Sequence, residues 1–180
     1  MKEKIINEIF EWIKVIVITL AVTYVVTSFV RPTLVIGDSM TNTFQQYDYL
    51  LVSRRAYKSE EPKFGDVVLF QSHLQLASGK GEKILIKRVI GLPGDTIQII
   101  EGKVYRNNVE LVEPYIKDRY TSGEMFVEVP EGEYFLMGDN RLNSRDSRDA
   151  EVGTVPKEEL LGKIILRVFP FDKITTYFGS

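Results

Sequence analysis

The stretch VIGDSM, residues 35–40, places Ser39 after a Gly-Asp pair in apolar surroundings. A serine presented at a turn can act as a nucleophile, provided that a neighbouring base takes its proton. The usual base is histidine, and the 180-residue chain contains one, His73, in the polar run QSHLQLASGKGEK, which is typical of a loop. Ser39 is therefore either an ordinary turn serine or the partner of a different base.

Lys87, in the stretch ILIKRVIGLPGDTI at residues 84–97, is a candidate for that base. Alternate side chains of a strand share a face, so Lys87 and Arg88 point to opposite sides and one of them is expected to face apolar surroundings. Burial without a carboxylate partner lowers a lysine pKa from about 10.4 by several units, and the neutral amine can then accept a serine proton. Arg88 cannot do so, because a guanidinium stays protonated. The pattern alone also allows a solvated Lys87 on a half-exposed strand.

A third polar stretch, GDNRLNSRDSR, occupies residues 138–148. Gly-Asp-Asn is typical of a turn in which Asp or Asn side chains bond the backbone. Taken by itself, the stretch also fits a charged surface loop. Its alternating charges predict a local network of ion pairs, whose members would be Arg141, Arg145, Asp146 and Arg148.

The composition argues against several kinds of site. The chain has no cysteine and one histidine, so it offers no disulfide framework, no thiol chemistry and few of the ligands that zinc prefers. A formal net charge of −2 gives no reason to expect nucleic acid as a partner. With 44% hydrophobic and 27% charged residues, the chain is expected to be globular.

Residues 9–30, IFEWIKVIVITLAVTYVVTSFV, form an almost uninterrupted apolar run. We predict a single uncleaved membrane anchor, since about 20 apolar residues span the hydrocarbon core of a bilayer. A cleaved secretory signal ending near Val26 and Ser28 is one alternative, although the apolar run continues past that point. A buried core helix is another, although a terminal helix that is apolar on all sides is unusual.

Basic residues predict the orientation of this anchor. Lys2, Lys4 and Lys14 lie before or at the start of the span, and Arg31 is the basic residue that follows closely. The positive-inside rule then places the N-terminus in the cytoplasm. We therefore predict a cytoplasmic tip and anchor at residues 1–30 and an extracytoplasmic domain at residues 31–180.

Beyond Arg31 the sequence predicts a mainly β fold. Short segments rich in β-branched and aromatic residues alternate with Gly, Pro, Asn and Asp, which argues for an all-β sandwich or barrel. The region 101–133 is predicted to be a small β-hairpin insertion with a turn at Asn107-Asn108, and residues 155–162 a short helical turn. The predicted strands are YDYLLVS, DVVLF, KILIKRVI, DTIQII, KVYRN, MFVEV, EYFLMG and KIILRVF.

The polar stretches, taken in order, resemble the motifs of bacterial type I signal peptidases, the membrane-anchored serine proteases that remove signal peptides. The family motif Ser-Met-x-Pro-Thr-Leu is similar to SMTNTF at residues 39–44, and Gly-Asp-Val-Val stands at 65–68. Lys-Arg-Val-Ile-Gly-x-Pro-Gly-Asp matches residues 87–95, and Gly-Asp-Asn-Arg-x-x-Ser-x-Asp-Ser-Arg matches residues 138–148. Each motif is weak alone, whereas all of them in order behind an N-terminal anchor are highly specific. The resemblance covers nearly the whole chain.

The resemblance implies a Ser-Lys dyad, with Ser39 as nucleophile and Lys87 as general base. Ser144 is expected to hydrogen-bond the lysine amine and orient it. The Ser39 N–H is expected to donate to the oxyanion, with a backbone N–H at Gly37 in place of the serine hydroxyl that some members use as second donor. The remaining supporting residues are an ion pair of Asp146 with Arg148, and Asp139 with Asn140, which would shape the turn beneath the site.

The resemblance also implies the substrates, which are secretory preproteins with small residues at positions −1 and −3. They would bind extended beside the strand that leads into the nucleophile. Two residues depart from the family pattern: Asn42 replaces a proline and is expected to hold its turn less rigidly, and Phe44 replaces a leucine and is expected to narrow a substrate pocket. By matching position, the candidate pocket walls are Val35, Met40, Leu85 and Ile86.

We therefore expect a serine endopeptidase that cleaves signal peptides at the outer face of the cytoplasmic membrane. Its partners would be preproteins and the lipid bilayer, and it would need neither a metal nor a diffusible cofactor. A self-cleaving Ser-Lys protease of the repressor type shares this catalytic β core but lacks the anchor. An anchored β domain that binds exported peptides without cutting them is the non-enzyme alternative, supported by the departures at residues 42 and 44.

Overall fold

The computed structural model describes residues 2–76, 79–117 and 120–177 and shows a long N-terminal helix followed by short strands. Single turns of 3-10 helix at Lys157–Glu159 and Phe171–Lys173 precede and follow the last long strand. The predicted mainly β fold behind one apolar helix is therefore confirmed. In chain order the elements are α1 (Lys2–Phe29), β1 (Val30–Leu34), β2 (Tyr49–Ser53), α2 (Ala56–Ser59), β3 (Val67–Gln75), β4 (Glu82–Gly91), β5 (Thr96–Ile100), β6 (Lys103–Arg106), β7 (Val109–Glu110), β8 (Met125–Glu128), β9 (Glu133–Met137), β10 (Val155–Pro156), β11 (Leu160–Phe169) and β12 (Thr175–Thr176).

The helix α1 packs against no other part of the described protein over most of its length. Its stretch Lys4–Phe29, 26 residues with a mean hydropathy of 2.0, is long and apolar enough to cross a membrane. Large side chains such as Leu20 and Tyr24 are 65% and 75% exposed. The interpretation as a buried core helix is therefore wrong. An apolar surface of this size is unfavourable in water, which supports membrane anchoring by this helix.

The end of α1 is joined directly to the β domain. Pro32 favours an extended conformation in Arg31, so β1 follows the helix without a linker. The Arg54 N–H donates to the Phe29 carbonyl at 2.9 Å, and the Arg55 guanidinium lies 4.0 Å from the centre of the Phe29 ring. These contacts hold the segment after β2 against the last residue of the anchor helix.

The larger sheet has the strand order β1-β2-β11-β3-β4-β9-β10, with β12 added beside β11. Neighbouring strands pair antiparallel. β4 lies between β3 and β9, so that Lys87 is opposite Val68 and Arg88 is opposite Met137. Because β4 has neighbours on both sides, Lys87 and Arg88 both become buried, whereas the alternation suggested that one of the two would be.

The smaller sheet has the order β7-β6-β5-β8 and forms the predicted insertion. The hairpin of β6 and the edge strand β7 turns at Asn107 and Asn108, whose φ angles of 53° and 64° are those of a type I′ turn. Asparagine tolerates this left-handed conformation better than most residues do, which explains the pair at this position. The predicted hairpin turn is therefore confirmed.

Each of the eight predicted strand segments contains a strand, and the predicted helical turn forms at Lys157–Glu159. β3 continues as far as Gln75, so the prediction of a loop around His73 is wrong. β1 was not predicted, since its sequence VRPTL contains a proline and a charge. It forms because it is the edge strand of the sheet, where a proline costs no ladder hydrogen bond.

One hydrophobic cluster lies beneath the segment that carries Ser39. It joins Val35, Met40 and Phe44 of that segment to Leu50 and to residues of β3 and β11. Phe44 is completely buried, and its ring centre lies 5.1 Å from that of Tyr177. Packing of this kind fixes the turn on the sheet before any polar contact is considered.

Replacing Phe44 by alanine is expected to lower the free energy of unfolding by about 3–5 kcal/mol, because the substitution leaves a cavity in this cluster. The matched control is Phe126→Ala, at a residue that is 66% exposed, where the loss is expected to stay within about 0.5 kcal/mol. Denaturant unfolding of the detergent-solubilised chain measures both. Equal losses would contradict the assignment of Phe44 to the core.

Candidate active site

Ser39 and Lys87 meet in the structure. Ser39 lies in the turn that follows β1, and Lys87 lies within β4. The Nζ atom of Lys87 is 2.7 Å from Oγ of Ser39, and it also donates to the carbonyl of Ile86 at 3.1 Å. His73 instead has an exposed ring that lies 3.0 Å from the Glu159 carboxylate. The structure thus brings together the serine and the lysine that the motifs singled out and leaves the histidine apart.

The amine of Lys87 lies in an environment that disfavours its charge. The residue is only 1% exposed. Burial lowers the pKa of Lys87 to about 8, although the negative charges of Asp146 and Asp139 act in the opposite direction. Within the described residues no carboxylate forms an ion pair with this amine. A large fraction of the amine is therefore neutral near pH 8, as a general base requires.

Arg88 forms a bidentate ion pair with the carboxylate of Asp139. Its Nε and Nη2 donate to the two carboxylate oxygens at 2.9 and 2.7 Å, and its Nη1 donates to the Gly65 carbonyl at 2.9 Å. The Thr43 hydroxyl donates to the same carboxylate, and both members of the ion pair are buried. A carboxylate held in this way is not available to Lys87. The sequence pattern does not predict this pair, because the two residues lie 51 positions apart.

Asp146 is held in a similar way by Arg148. Nε and Nη2 of Arg148 donate to the two Asp146 oxygens at 2.8 and 2.9 Å, and the Gly138 N–H donates to one of them at 2.9 Å. Burial alone would raise the pKa of Asp146, but the guanidinium and the backbone N–H keep that pKa below its ordinary value. The expected ion pair is therefore present and anchors the start of the 138–148 segment.

The turn that carries Ser39 is bonded to the segment that begins at Gly138. The Asn140 N–H donates to the Ser39 carbonyl at 3.0 Å, and the Asn140 side chain donates to the Asp38 carbonyl at 3.0 Å. The Asn42 side chain donates to the Asp139 carbonyl at 2.9 Å. Asn42 therefore fixes the turn by a hydrogen bond, where a proline would fix it by its ring.

Ser144 lies beside this junction. Its Oγ is buried close to the Asp146 carboxylate, whose pKa it helps to keep low, but it makes no well-aligned hydrogen bond in the described part of the chain. The expected bond to Lys87 is therefore not formed in this structure. A Cβ on Gly138 would overlap both Ser144 and the carbonyl of Ser39. Glycine is therefore required at 138, because the serine hydroxyl and the nucleophile segment approach each other across it.

The backbone N–H groups of Ser39 and Gly37 are the predicted donors to an oxyanion. The N–H of Ser39 has no protein acceptor within the described ranges. Gly37 has a φ of 102°, a left-handed conformation that strains any side chain, which explains why this position holds glycine. The two groups stand on either side of Asp38, at the rim of the cleft described next.

A cleft of about 200 Å³ extends from Ser39 along β1. Its walls are largely apolar, and the volume suits small side chains of an extended peptide. Arg31 and Thr33 of β1 also line it, and neither was predicted as a site residue. All four predicted pocket residues line the cleft, namely Val35, Met40, Leu85 and Ile86.

Two expectations about individual side chains are wrong. Phe44 does not narrow the cleft, because its side chain is completely buried in the cluster beneath the turn. The charged stretch 138–148 does not form one local network, because Arg141 pairs with the buried Glu113 of the distant segment between β7 and β8. Arg145 pairs instead with the carboxylates of Asp149 and Glu151.

The chain is similar to known proteins over most of its length. The model of the family described as signal peptidase, peptidase S26, matches residues 9–169. The chain is 34% identical to signal peptidase I of Bacillus licheniformis, over 93% of this chain and 92% of that protein. It is 34% identical to signal peptidase I T of Bacillus subtilis strain 168, over 93% and 89% of the two chains. It is also 37% identical to the probable signal peptidase I-1 of Synechocystis sp., over 79% and 73%. A family match over most of the length, with relatives aligned across the anchor and the β domain, identifies this chain as a member of the signal peptidase family.

Proposed function

We propose that this signal peptidase cleaves signal peptides from exported preproteins with Ser39 as nucleophile and Lys87 as general base. The observation that carries the proposal is the 2.7 Å contact between Ser39 Oγ and an amine that is buried and lacks a carboxylate partner among the described residues. A nucleophile and a base within hydrogen-bond reach are the signature of covalent catalysis.

The first half of the reaction forms an acyl-enzyme. The neutral amine of Lys87 accepts the Ser39 hydroxyl proton while Oγ attacks the carbonyl carbon of the scissile peptide bond. The carbonyl oxygen becomes an oxyanion, to which the N–H groups of Ser39 and Gly37 donate. The lysine ammonium then gives its proton to the leaving nitrogen, the C–N bond breaks, and the mature protein departs with a free amino terminus.

The second half releases the signal peptide. A water molecule takes the place of the departed amine, and Lys87 accepts one of its protons as the oxygen attacks the ester carbonyl. The second tetrahedral intermediate collapses, the bond to Ser39 Oγ breaks, and the lysine ammonium returns a proton to Oγ. The signal peptide leaves with a free carboxylate, and the dyad is restored.

Two of the supporting residues act by neutralising the negative charges near Lys87. Arg88 and Arg148 each neutralise a carboxylate that would otherwise hold the amine in its ammonium form. Asn140 positions the nucleophile turn through its two hydrogen bonds. Ser144 is proposed to accept a hydrogen bond from the lysine amine through its hydroxyl oxygen when a substrate is bound, since apo hydrogen bonds in active sites often tighten only in complexes. The lone pair of the amine then stays available for the Ser39 proton.

The cleft is proposed to bind the residues before the cleaved bond in an extended conformation. Small side chains at −1 and −3 fit apolar subsites formed by Met40 and Val35 on one wall and Leu85 and Ile86 on the other. The preference follows from the limited volume, because larger side chains would overlap these walls.

The anchor is proposed to place this cleft next to the outer face of the cytoplasmic membrane. With Lys2, Lys4 and Lys14 on the cytoplasmic side, residues 1–30 form the tip and the single span, and residues 31–180 form the extracytoplasmic domain. Lys14 lies within the span near its start and directs its ammonium toward the headgroups along its own aliphatic stem. An anchored enzyme meets anchored preproteins by diffusion in two dimensions.

Removing either member of the dyad is expected to abolish cleavage. Ser39→Ala and Lys87→Met should each lower kcat/KM by at least about 10³-fold on a purified preprotein, while the exposed control Lys117→Met keeps full activity. Lys87→Met should not destabilise the fold, because it removes a buried cationic group, and the free energy of unfolding is expected to rise by about 1–3 kcal/mol. Cleavage is followed by sequencing the amino terminus of the product. An active Lys87→Met variant would rule out lysine as the base, and an intact chain that cuts no preprotein would favour the peptide-binding alternative.

The pH profile of cleavage should report the lowered pKa of Lys87. The neutral amine is the active form, so kcat/KM is expected to rise tenfold per pH unit below about 8 and to level off above that value. The profile is measured in the detergent-solubilised chain with a neutral substrate. An inflection at about 10.4, the pKa of an ordinary lysine, would contradict the role of burial.

Alanine variants of Ser144 and Ser147 are expected to differ, one lowering the turnover rate and the other the free energy of unfolding. Ser147 accepts a hydrogen bond from the buried Leu136 N–H at 2.9 Å, so Ser147→Ala is expected to lower the free energy of unfolding by about 1–3 kcal/mol. Ser144 has no such partner, so Ser144→Ala is expected to lower kcat while leaving stability nearly unchanged. Unfolding and single-turnover cleavage of both variants test this. Equal losses of turnover in the two variants would show that Ser144 does not orient the Lys87 amine.

A further inference from the structure

The cleft that begins at Ser39 has a polar far end. Arg31, Thr33 and Val35 alternate along the chain and therefore share one face of β1 and its extension. The Oγ1 of Thr33 is buried without a hydrogen-bond partner in the described residues. Arg31 is half-buried, and its guanidinium forms no ion pair within residues 2–76, 79–117 and 120–177. A buried hydroxyl without a partner among these residues, on the same strand face as an arginine without an acidic partner, indicates that a ligand in the cleft completes them.

The path of the chain gives the direction in which a substrate enters. β1 begins at Val30, directly after the last residue of the anchor helix, so Arg31 marks the end of the cleft nearest the membrane. The apolar segment of a signal peptide lies in the bilayer and precedes the cleaved bond. Its residues must therefore pass Arg31 before they reach Ser39, and the bound peptide runs parallel to β1.

The spacing of an extended chain gives the register. Both strands advance by about 3.3 Å per residue, and side chains two residues apart share a face. If the residue at −3 packs against Val35, the residue two positions earlier meets Thr33. The residue about seven positions before the cleaved bond then meets Arg31.

We propose that Arg31 is a specificity-determining residue that selects a hydrogen-bond acceptor, and best a carboxylate, about seven residues before the cleaved bond. Thr33 donates to the same polar stretch of the substrate. This inference rests on the proposed function, because it assigns that function a subsite. A lipid phosphate is the less favoured partner for Arg31, since its side chain lines the cleft, whereas Arg54 and Arg55 beside the helix end are exposed.

The test uses the full chain reconstituted in vesicles of phosphatidylglycerol and phosphatidylcholine. Preprotein substrates carry Glu, Gln or Lys at single positions from the fourth to the eighth before the cleaved bond, and kcat/KM is measured for each. Glu is expected to exceed Lys by about tenfold near the seventh position and by little elsewhere. Arg31→Glu is expected to invert this order, and Arg31→Gln to abolish it.

The matched control is Arg54→Glu, which reverses a charge equally close to the anchor and should keep the order Glu, Gln, Lys. Cleavage of the Gln substrate by Arg31→Glu shows that the variant is folded and active. An unchanged order in Arg31→Glu would overturn the proposal. So would an equal loss on all three substrates, which would assign Arg31 to the membrane surface. If the unmodified chain cleaves no substrate, the proposed function fails, and the subsite fails with it.

Discussion

The site depends on burying the amine of Lys87 without giving it a counter-ion. Two carboxylates, Asp139 and Asp146, lie near enough to raise its pKa, and either could hold it as an ammonium. Each carboxylate is instead bonded by both its oxygens to an arginine, Arg88 or Arg148. The charged residues around the dyad therefore satisfy one another and leave the dehydrated lysine with the hydroxyl of Ser39.

This constraint explains the arrangement of the surrounding elements. The Lys87 amine is shielded from solvent because its strand has neighbours on both sides. β4 has that position between β3 and β9. The nucleophile turn must reach this strand from the sheet edge. The cluster around Phe44 holds the turn from below, and the bonds of Asn42 and Asn140 hold it from the 138–148 segment. Burial and hydrogen bonding thus fix one turn from two directions, which is how a site keeps its geometry within fractions of an ångström.

The anchor and the cleft belong to one arrangement. β1 is both the continuation of the anchor helix and a wall of the cleft, so only a short extended segment separates the end of that helix from Ser39. In the proposed function, a substrate whose apolar segment lies in the same bilayer would reach Ser39 with its polar residues extended along that wall. The rigidity of β1 and its pairing with β2 turn this proximity into a defined register.

The sequence by itself determined the parts that depend on local order. The apolar run indicates a membrane helix, β-branched segments separated by turn residues predict eight strands, and the motifs around Ser39 and Lys87 indicate the dyad. Tertiary structure alone decided the pairing of Arg88 with Asp139, which are 51 positions apart, and of Arg141 with Glu113, which are 28 apart. The tertiary structure also decided that Phe44 is buried in the core and that Arg31 lines the cleft. Periodicity shows which side chains share a face, but which face meets which partner depends on long-range strand pairing, and that pairing leaves no mark in the local pattern.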